Sequence, residues 1–456
     1  MRQLSGSDAY HVLEETPAQH MHTMKIAIVD AANADEPITL ESVRRWAADH
    51  LPRVPALRWR LVRMPLGIAR PAWVDAPRLD VDYHVRHLVL DPPGTGEQLD
   101  DAISTIASVA LDRDKPLWQL WFIEGLDGGR VGFAFKMHHA IADGMASVRI
   151  LEEAFGAAEP PQPVPAAETM PSRARLLAFA LRSQARTWAG LPRMLRRTAS
   201  SLRAGRAREK GGGPAVTRPL RAPSTRFNSP LSAERVYVNV NVSLSDLRDV
   251  KDSLGATLND VYVALCGGAL RRYLDKHGEL PDGDLTGTSP VSLRTDDELA
   301  SYGNRTSYWY VTVAPDAGDA VGRLEGVRAS TSAARDWAQG DRSLFSDWQN
   351  HYILFRLFSV KLLAMAEKRM GKPAFNLIVS NVRGPRPISY QGAPVVSVRS
   401  MGPIVGSEGI NFTGWSYGDE MSIGIHACRA VAPDLREMAA HVVAELDELK
   451  EAARVR

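Results

Sequence analysis

The sequence predicts a mixed α/β protein of two domains, on three observations. The chain has 456 residues, too many for one ordinary domain and suited to two of about 200 each. It is 45% hydrophobic and 24% charged, the balance of a globular chain with real cores, which excludes wholly disordered, coiled-coil and collagen-like classes. Segments with strand-like alternation recur among segments with helical periodicity in both halves.

In the first half, Glu41 to His50 reads as a helix. Val131-Gly-Phe-Ala-Phe-Lys-Met137 alternates in side-chain size as a strand does, and Ala146 to Phe155 reads as the next helix. Composition then shifts. Glu159 to Pro165 is a proline-rich opening of a linker, and Lys210-Gly-Gly-Gly-Pro214, followed by Pro219 and Pro223, closes it. Between them lies a basic helical stretch. Leu177, Leu181, Trp188, Leu191, Leu195 and Leu202 fall on one stripe and most arginines lie off it. Pro192 is expected to kink or split this helix. In the second half, Val236 to Val242 alternates as a strand, and Asp246 to Leu254 and Leu258 to Leu274 read as helices. Phe375 to Val379 and Met421 to Ile425 read as strands, and Pro433 to Arg454 as a terminal helix. The expected division is 1–155, a linker over 156–228, and 229–456.

The net charge is only +2, but it is unevenly spread. Residues 172–226 hold thirteen arginines and Lys210 against one acid, Glu209. That segment is +13 and the rest of the chain −11. Two cysteines, Cys266 and Cys428, exclude a disulfide framework, so a reducing, cytosolic setting is the default. The first residues show no secretory signal. No run reaches the roughly 18–20 apolar residues of a spanning helix, so membrane contact is expected to be peripheral.

The strongest chemical signal is Lys136-Met137-His138-His139-Ala140-Ile141-Ala142-Asp143-Gly144. A strand ends at two histidines, an aspartate and glycine follow, and a helix begins. A strand end holds a side chain firmly at a cleft edge. Asp143 stands where a helix N-terminus favours a carboxylate, and Gly144 permits close approach. An imidazole of ordinary pKa near 6.5 can take a proton from a hydroxyl and return it. The bland reading is a structural His-His pair at a strand end; the Asp-Gly at this spacing favours catalysis. No paired metal-ligand set accompanies the histidines, so zinc is not expected.

These residues resemble the HHxxxDG motif of the CoA-dependent acyltransferases, a superfamily that includes chloramphenicol acetyltransferase, peptide-synthetase condensation domains and the bacterial wax ester synthase/diacylglycerol acyltransferases. Further matches are similar to the last family. They are Pro116-Leu117-Trp118, Asn259-Asp260-Val-Tyr-Val-Ala264, Ser380-Asn381-Val382-Arg383-Gly384-Pro385, and Gly409-Ile-Asn411 with Ser416-Tyr417. The opening, with Ser7-Asp8-Ala9, fits loosely. Arg383 departs from the family's usual proline.

The resemblance implies two chloramphenicol-acetyltransferase-like α/β domains, mixed sheets flanked by helices, and an active site at their interface. It implies that His139 is the base, that His138 shapes the site, and that Asp143 orients the loop through a buried ion pair. By the same resemblance Arg58 is the expected partner of Asp143. Oxyanion donors are expected near Asn259; the alternative is that Asn259, like Thr257, merely caps its helix. Trp118, Trp121, Trp309 and Trp415 could line an acyl channel, though such residues more often fill cores.

The implied activity is transfer of a long-chain acyl group from acyl-CoA to the hydroxyl of diacylglycerol, with a fatty alcohol as second acceptor. No metal or bound cofactor is implied, because CoA arrives with the substrate. A condensation-type enzyme using an acyl carrier protein and a catalytically silent lipid-binding protein are the competing readings. The basic segment could be a nucleic-acid patch, a solvated linker, or an amphipathic helix on anionic lipid. No binding fold or stacking aromatics support nucleic acid. The third reading is favoured, with residues 172–210 at the inner face of the membrane or on lipid bodies.

Overall fold

The structure, a computed structural model, describes residues 1–455 apart from 77, 156–163, 165–167, 211–215, 296, 297, 299, 300, 339–341 and 407. Two six-stranded sheets organise the chain. The first runs Ser389–Tyr390, Ala393–Met401, His22–Val29, Arg130–His138, Trp118–Leu126, Val85–Val89 in spatial order. The second runs Thr306–Ala314, Leu285–Ser292, Leu377–Arg383, Ile410–Tyr417, Glu420–Cys428, Arg235–Ser243. Both are mixed. Val85–Val89 is parallel to Trp118–Leu126, and Leu377–Arg383 is parallel to both its neighbours. Helices flank both sheets.

The strand that ends at the histidines shows why its sequence alternates in side-chain size. Val131, Phe133, Phe135 and Met137 enter one core with Trp118, Leu120 and Phe122. Ala134 points to the other face, among Met24, Ile26 and Ile28. A sheet buried on both faces favours apolar residues on each, and each large apolar side chain so buried contributes about 1.5–3 kcal/mol. Lys136, buried beside Ala134 on that face, has its Nζ bonded to the Ile106 carbonyl at 2.8 Å.

Ala393–Met401 belongs to the second half of the sequence yet pairs antiparallel with His22–Val29 in the first sheet. Val395 and Val398 are buried there with Phe133 and Phe135. The chain therefore crosses back over the seam between the sheets, and a division by sequence position alone does not capture this strand.

Most expected elements appear within a residue or two of the expected ends. The helix expected over Glu41–His50 is Leu40–His50, started by a capping box from Thr39 and Ser42. The strand expected from Phe375 starts at Leu377 and runs on to Arg383. The basic stretch is not split at its proline. It is a single helix, Arg173–Lys210, with Pro192 inside it. Proline removes one backbone rung, and this helix has anchors on both sides of the gap. Ser183 accepts from Gln3, and Arg197 pairs with Asp347 at 2.6 Å. The proline-rich opening and the triple glycine of the linker lie outside the described residues.

Candidate active site

The two histidines leave the end of Arg130–His138 in different directions. His138 is 1% exposed. Its Nδ1 accepts the Ala140 N–H at 3.0 Å, and its Nε2 lies 3.6 Å from Glu15. Burial alone would raise the Glu15 carboxyl, but His138 and Arg113 outweigh it and hold it down at about 2. His138 is thereby tied into the wall. His139 is half-buried, with its N–H bonded to the Met21 carbonyl at 2.7 Å. Its ring stacks on His11 at 4.5 Å between centroids and 7° between planes. Its Nδ1 lies 3.0 Å from Asn304 Oδ1.

Asp143 is 2% exposed and fully engaged. Oδ1 accepts the Ala146 N–H at 2.9 Å, capping the helix Gly144–Phe155. Oδ2 accepts from the Arg294 guanidinium and from the Arg305 N–H, the latter at 2.9 Å. Arg294 also donates to the Gly303 carbonyl at 2.8 Å, and Gly303 N–H reaches the Ile141 carbonyl at 3.0 Å. The loop between Leu285–Ser292 and Thr306–Ala314 thus crosses from the second sheet and grips the motif loop of the first.

Arg58 is not the partner of Asp143. Its Nε donates to Asp75 at 2.9 Å and its Nη1 to the Pro52 carbonyl at 2.7 Å. The reason lies in sheet register. Trp59 pairs with Asp75 across neighbouring strands, so the residue before Trp59 meets that carboxylate first. Among the described residues the cation paired with Asp143 comes from the crossing loop, where Arg294 stands.

Gly144 meets the other domain directly. A Cβ at this position would lie 2.6 Å from Val382 Cγ2. Gly144→Ala is therefore expected to cost about 1–3 kcal/mol by overpacking, read as a lowered melting temperature. Val382→Ala in the same chain should recover most of that loss. An unshifted melt for the single variant would show that the seam has slack there.

Asn259 Oδ1 accepts from Asn381 Nδ2 at 3.3 Å, which joins two of the family-like motifs. Its helix, Leu258–Lys276, is capped by a Thr257–Asp260 box, so capping falls to Thr257. Among the described residues no hydrogen bond joins Asn259 to either histidine. Trp118 is buried in the first core, with its Nε1 bonded to the Leu57 carbonyl at 2.7 Å. Trp121 lies at the other face of that sheet, beneath Arg86, and Trp309 packs against the second core. Trp415 is buried at the seam, with Lys25 Nζ 4.8 Å from its ring centroid. Arg383 is exposed at its strand end.

Sequence reading missed Arg294, Asn304 and the role of Asp8. The available signal was an arginine two residues past the strand Leu285–Ser292 and a Gly-Asn-Arg run just before the next strand. Asp8 was visible only as part of a loose opening match. Among the described residues no group of three His, Cys, Asp or Glu side chains is gathered to hold a metal ion.

Two mixed sheets joined by a crossing loop, with HHxxxDG at the seam, define the CoA-dependent acyltransferase class of fold. The match to known proteins is more specific. Residues 4–262 match the wax ester synthase/diacylglycerol acyltransferase catalytic domain, and residues 302–450 match the C-terminal domain of the same family. A Mycobacterium tuberculosis protein provisionally named diacylglycerol O-acyltransferase is 32% identical over 99% of this chain and 97% of its own. The O-acyltransferase WSD of Acinetobacter baylyi is 30% identical over 82% of each chain. Among solved structures, the wax ester synthase/diacylglycerol acyltransferase from Marinobacter aquaeolei VT8 superposes with a TM-score of 0.69 at 22% identity, covering 99% of this chain and 100% of that one. The first condensation domain of the calcium-dependent antibiotic synthetase shares the fold, with a TM-score of 0.63 at 17% identity, covering 99% of this chain and 97% of that one. The chain belongs to the wax ester synthase/diacylglycerol acyltransferase family, and it is an acyltransferase.

Proposed function

We propose that the enzyme moves a long-chain acyl group from acyl-CoA to the hydroxyl of diacylglycerol, with a fatty alcohol as second acceptor, and that His139 is its general base. The observation that carries this reading is His139 itself. It is half-buried at the seam, and Asn304 from the other side of the seam occupies its Nδ1. Nε2 is then the nitrogen that takes the acceptor proton. The acceptor oxygen forms a bond to the acyl carbonyl carbon, the C–S bond breaks, and the proton on Nε2 passes to the CoA thiolate. Holding both substrates against one base supplies much of the rate, and donors for the transient oxyanion are placed near Asn259. Asp143 holds the loop, and no resident metal or cofactor takes part.

The test follows free CoA released from palmitoyl-CoA, with diacylglycerol and hexadecanol offered separately. CoA release matched by triacylglycerol or wax ester, and lost in His139→Ala, is expected. No turnover with either alcohol by well-folded enzyme would overturn the reading in favour of an acyl-carrier donor or a binding protein.

Oily substrates need a route from lipid, and the basic helix supports one. Ala180, Ser183, Thr187 and Met194 are buried against the body, so Leu181, Trp188, Leu195 and Leu202 face outward, each more than half exposed at 51–58%. Arg173, Arg175, Arg182, Arg186, Arg193, Arg196, Arg203 and Arg206 are exposed along the same helix. An apolar row flanked by arginines suits the surface of an anionic membrane or lipid body. Among the described residues no helix is long and apolar enough to cross a membrane. Placing glutamate at positions 181, 188 and 195 is expected to abolish co-sedimentation with anionic vesicles, whereas the unmodified protein binds and is released by salt. Unchanged sedimentation of the triple variant would remove the helix from this role.

A further inference from the structure

Asn304 sits where three elements meet, and its amide can be turned only one way. Nδ2 lies 2.8 Å from Asp8 Oδ1 and 2.7 Å from the His139 carbonyl oxygen. Asp8 Oδ1 also accepts the Asn304 backbone N–H at 2.8 Å. Both neighbours of Nδ2 are therefore acceptors, so the nitrogen end of the amide must face them. Oδ1 is then the end that meets His139 Nδ1 at 3.0 Å. A carbonyl oxygen only accepts, so Nδ1 carries the ring proton and Nε2 the lone pair.

Asp8 is itself held in place. It lies in the helix Gly6–Glu14, closes a capping box with Ser5, and is 6% exposed. Gly303 brings the crossing loop against it. Its φ is +81°, and a Cβ there would lie 3.1 Å from Asp8 Oδ2. Capping needs only Ser5. Two further N–H groups on one buried carboxylate oxygen are more than a cap requires.

We propose that Asp8 and Asn304 are positioning residues of the acyl-transfer reaction: Asp8 turns the Asn304 amide, and the amide fixes His139 in its Nδ1–H tautomer. This rests on His139 being the base. The first helix of the chain, 131 residues before that histidine in sequence, thus becomes part of the machinery. When Nε2 takes the acceptor proton, the imidazolium keeps its Nδ1–H on Asn304. When Nε2 returns the proton to the thiolate, the ring is left in the tautomer it started from. Lys25 from the neighbouring strand, His138, His11 stacked on the ring, and Asp143 are the other ionisable groups that act on His139.

The experiment compares Asn304→Ala, the exchange Asp8→Asn with Asn304→Asp, and His139→Ala, using palmitoyl-CoA and the better alcohol. Asn304→Ala is expected to lower kcat by about 10²-fold or more while KM for palmitoyl-CoA changes little. The exchange keeps an amide–carboxylate pair between positions 8 and 304, removes the donor to the His139 carbonyl, and sets a carboxylate against Nδ1–H. It should restore part of kcat and move the acid limb of the pH–rate profile upward by about one pH unit or more. A merely structural anchor would not move that limb. If Asn304→Ala does not fold, the exchange variant and the ¹⁵N-histidine spectrum of the unmodified enzyme decide the question. An Nδ1–H tautomer supports the proposal, and an Nε2–H tautomer overturns it. Wild-type kcat in Asn304→Ala, or an unmoved limb in the exchange, also overturns it. If His139→Ala is inactive beside such results, the base reading survives and only this inference fails. A fully active His139→Ala sinks the base reading first.

Discussion

His139→Ala is expected to lower CoA release by about 10³-fold or more and to leave the protein folded. The imidazole is half-buried, and its loss leaves one Asn304 oxygen without a donor, a cost of about 1–3 kcal/mol. A folded but inactive variant separates chemistry from architecture, which an Asp143 variant cannot do. The pH profile gives a second reading of the same group. Burial pushes His139 down to about 4, with Lys25 reinforcing the shift and its own carbonyl and Asp143 opposing it. A base works only unprotonated, and the lowered value keeps it so well into acid. Activity should hold as pH falls through the ordinary imidazole value of about 6.5 and decline only toward about 4. An acid limb at the ordinary value would mean that the ring meets bulk water in the working enzyme.

The parts legible in the sequence are those set by local pattern. His138, His139, Asp143 and Gly144 stand at a strand end and a helix start that seven residues specify by themselves. The strand Arg130–His138 and the helix Leu258–Lys276 follow from side-chain alternation and from a capping box. The parts that were not legible depend on contacts between distant segments. Arg58 and Arg294 both follow a leucine near a strand boundary, and nothing local ranks one above the other as the partner of Asp143. Sheet register decides it. The strand Ala393–Met401 reads as an ordinary strand, and only pairing shows that it serves the first sheet. The apolar stripe of the basic helix was legible. That it faces outward was not, because Ala180, Ser183 and Thr187, small or polar, turn out to form the buried side.

Arg294→Gln is expected to be the most destabilising change at the seam. The Arg294 and Asp143 side chains are 1% and 2% exposed. Removing one member of such a pair strands the other charge in a low-dielectric site, at a cost of about 3–5 kcal/mol. Against a total stability of about 5–15 kcal/mol, that brings the protein near its limit at physiological temperature. Arg294→Lys should not rescue it, because a single ammonium cannot also hold the Ser301 and Gly303 carbonyls that the guanidinium reaches. Arg58→Gln is the contrasting case. Its partner Asp75 is 29% exposed, and water can take over part of the pairing, so a loss of about 1 kcal/mol is expected. Thermal melts of the two variants decide between the partners, and equal losses would return Arg58 to consideration. Activity should separate them further. Arg294 fixes Gly303, and Gly303 precedes the asparagine that faces the base. Any Arg294→Gln protein that still folds should therefore lose kcat out of proportion to its stability, whereas Arg58→Gln should keep its kcat.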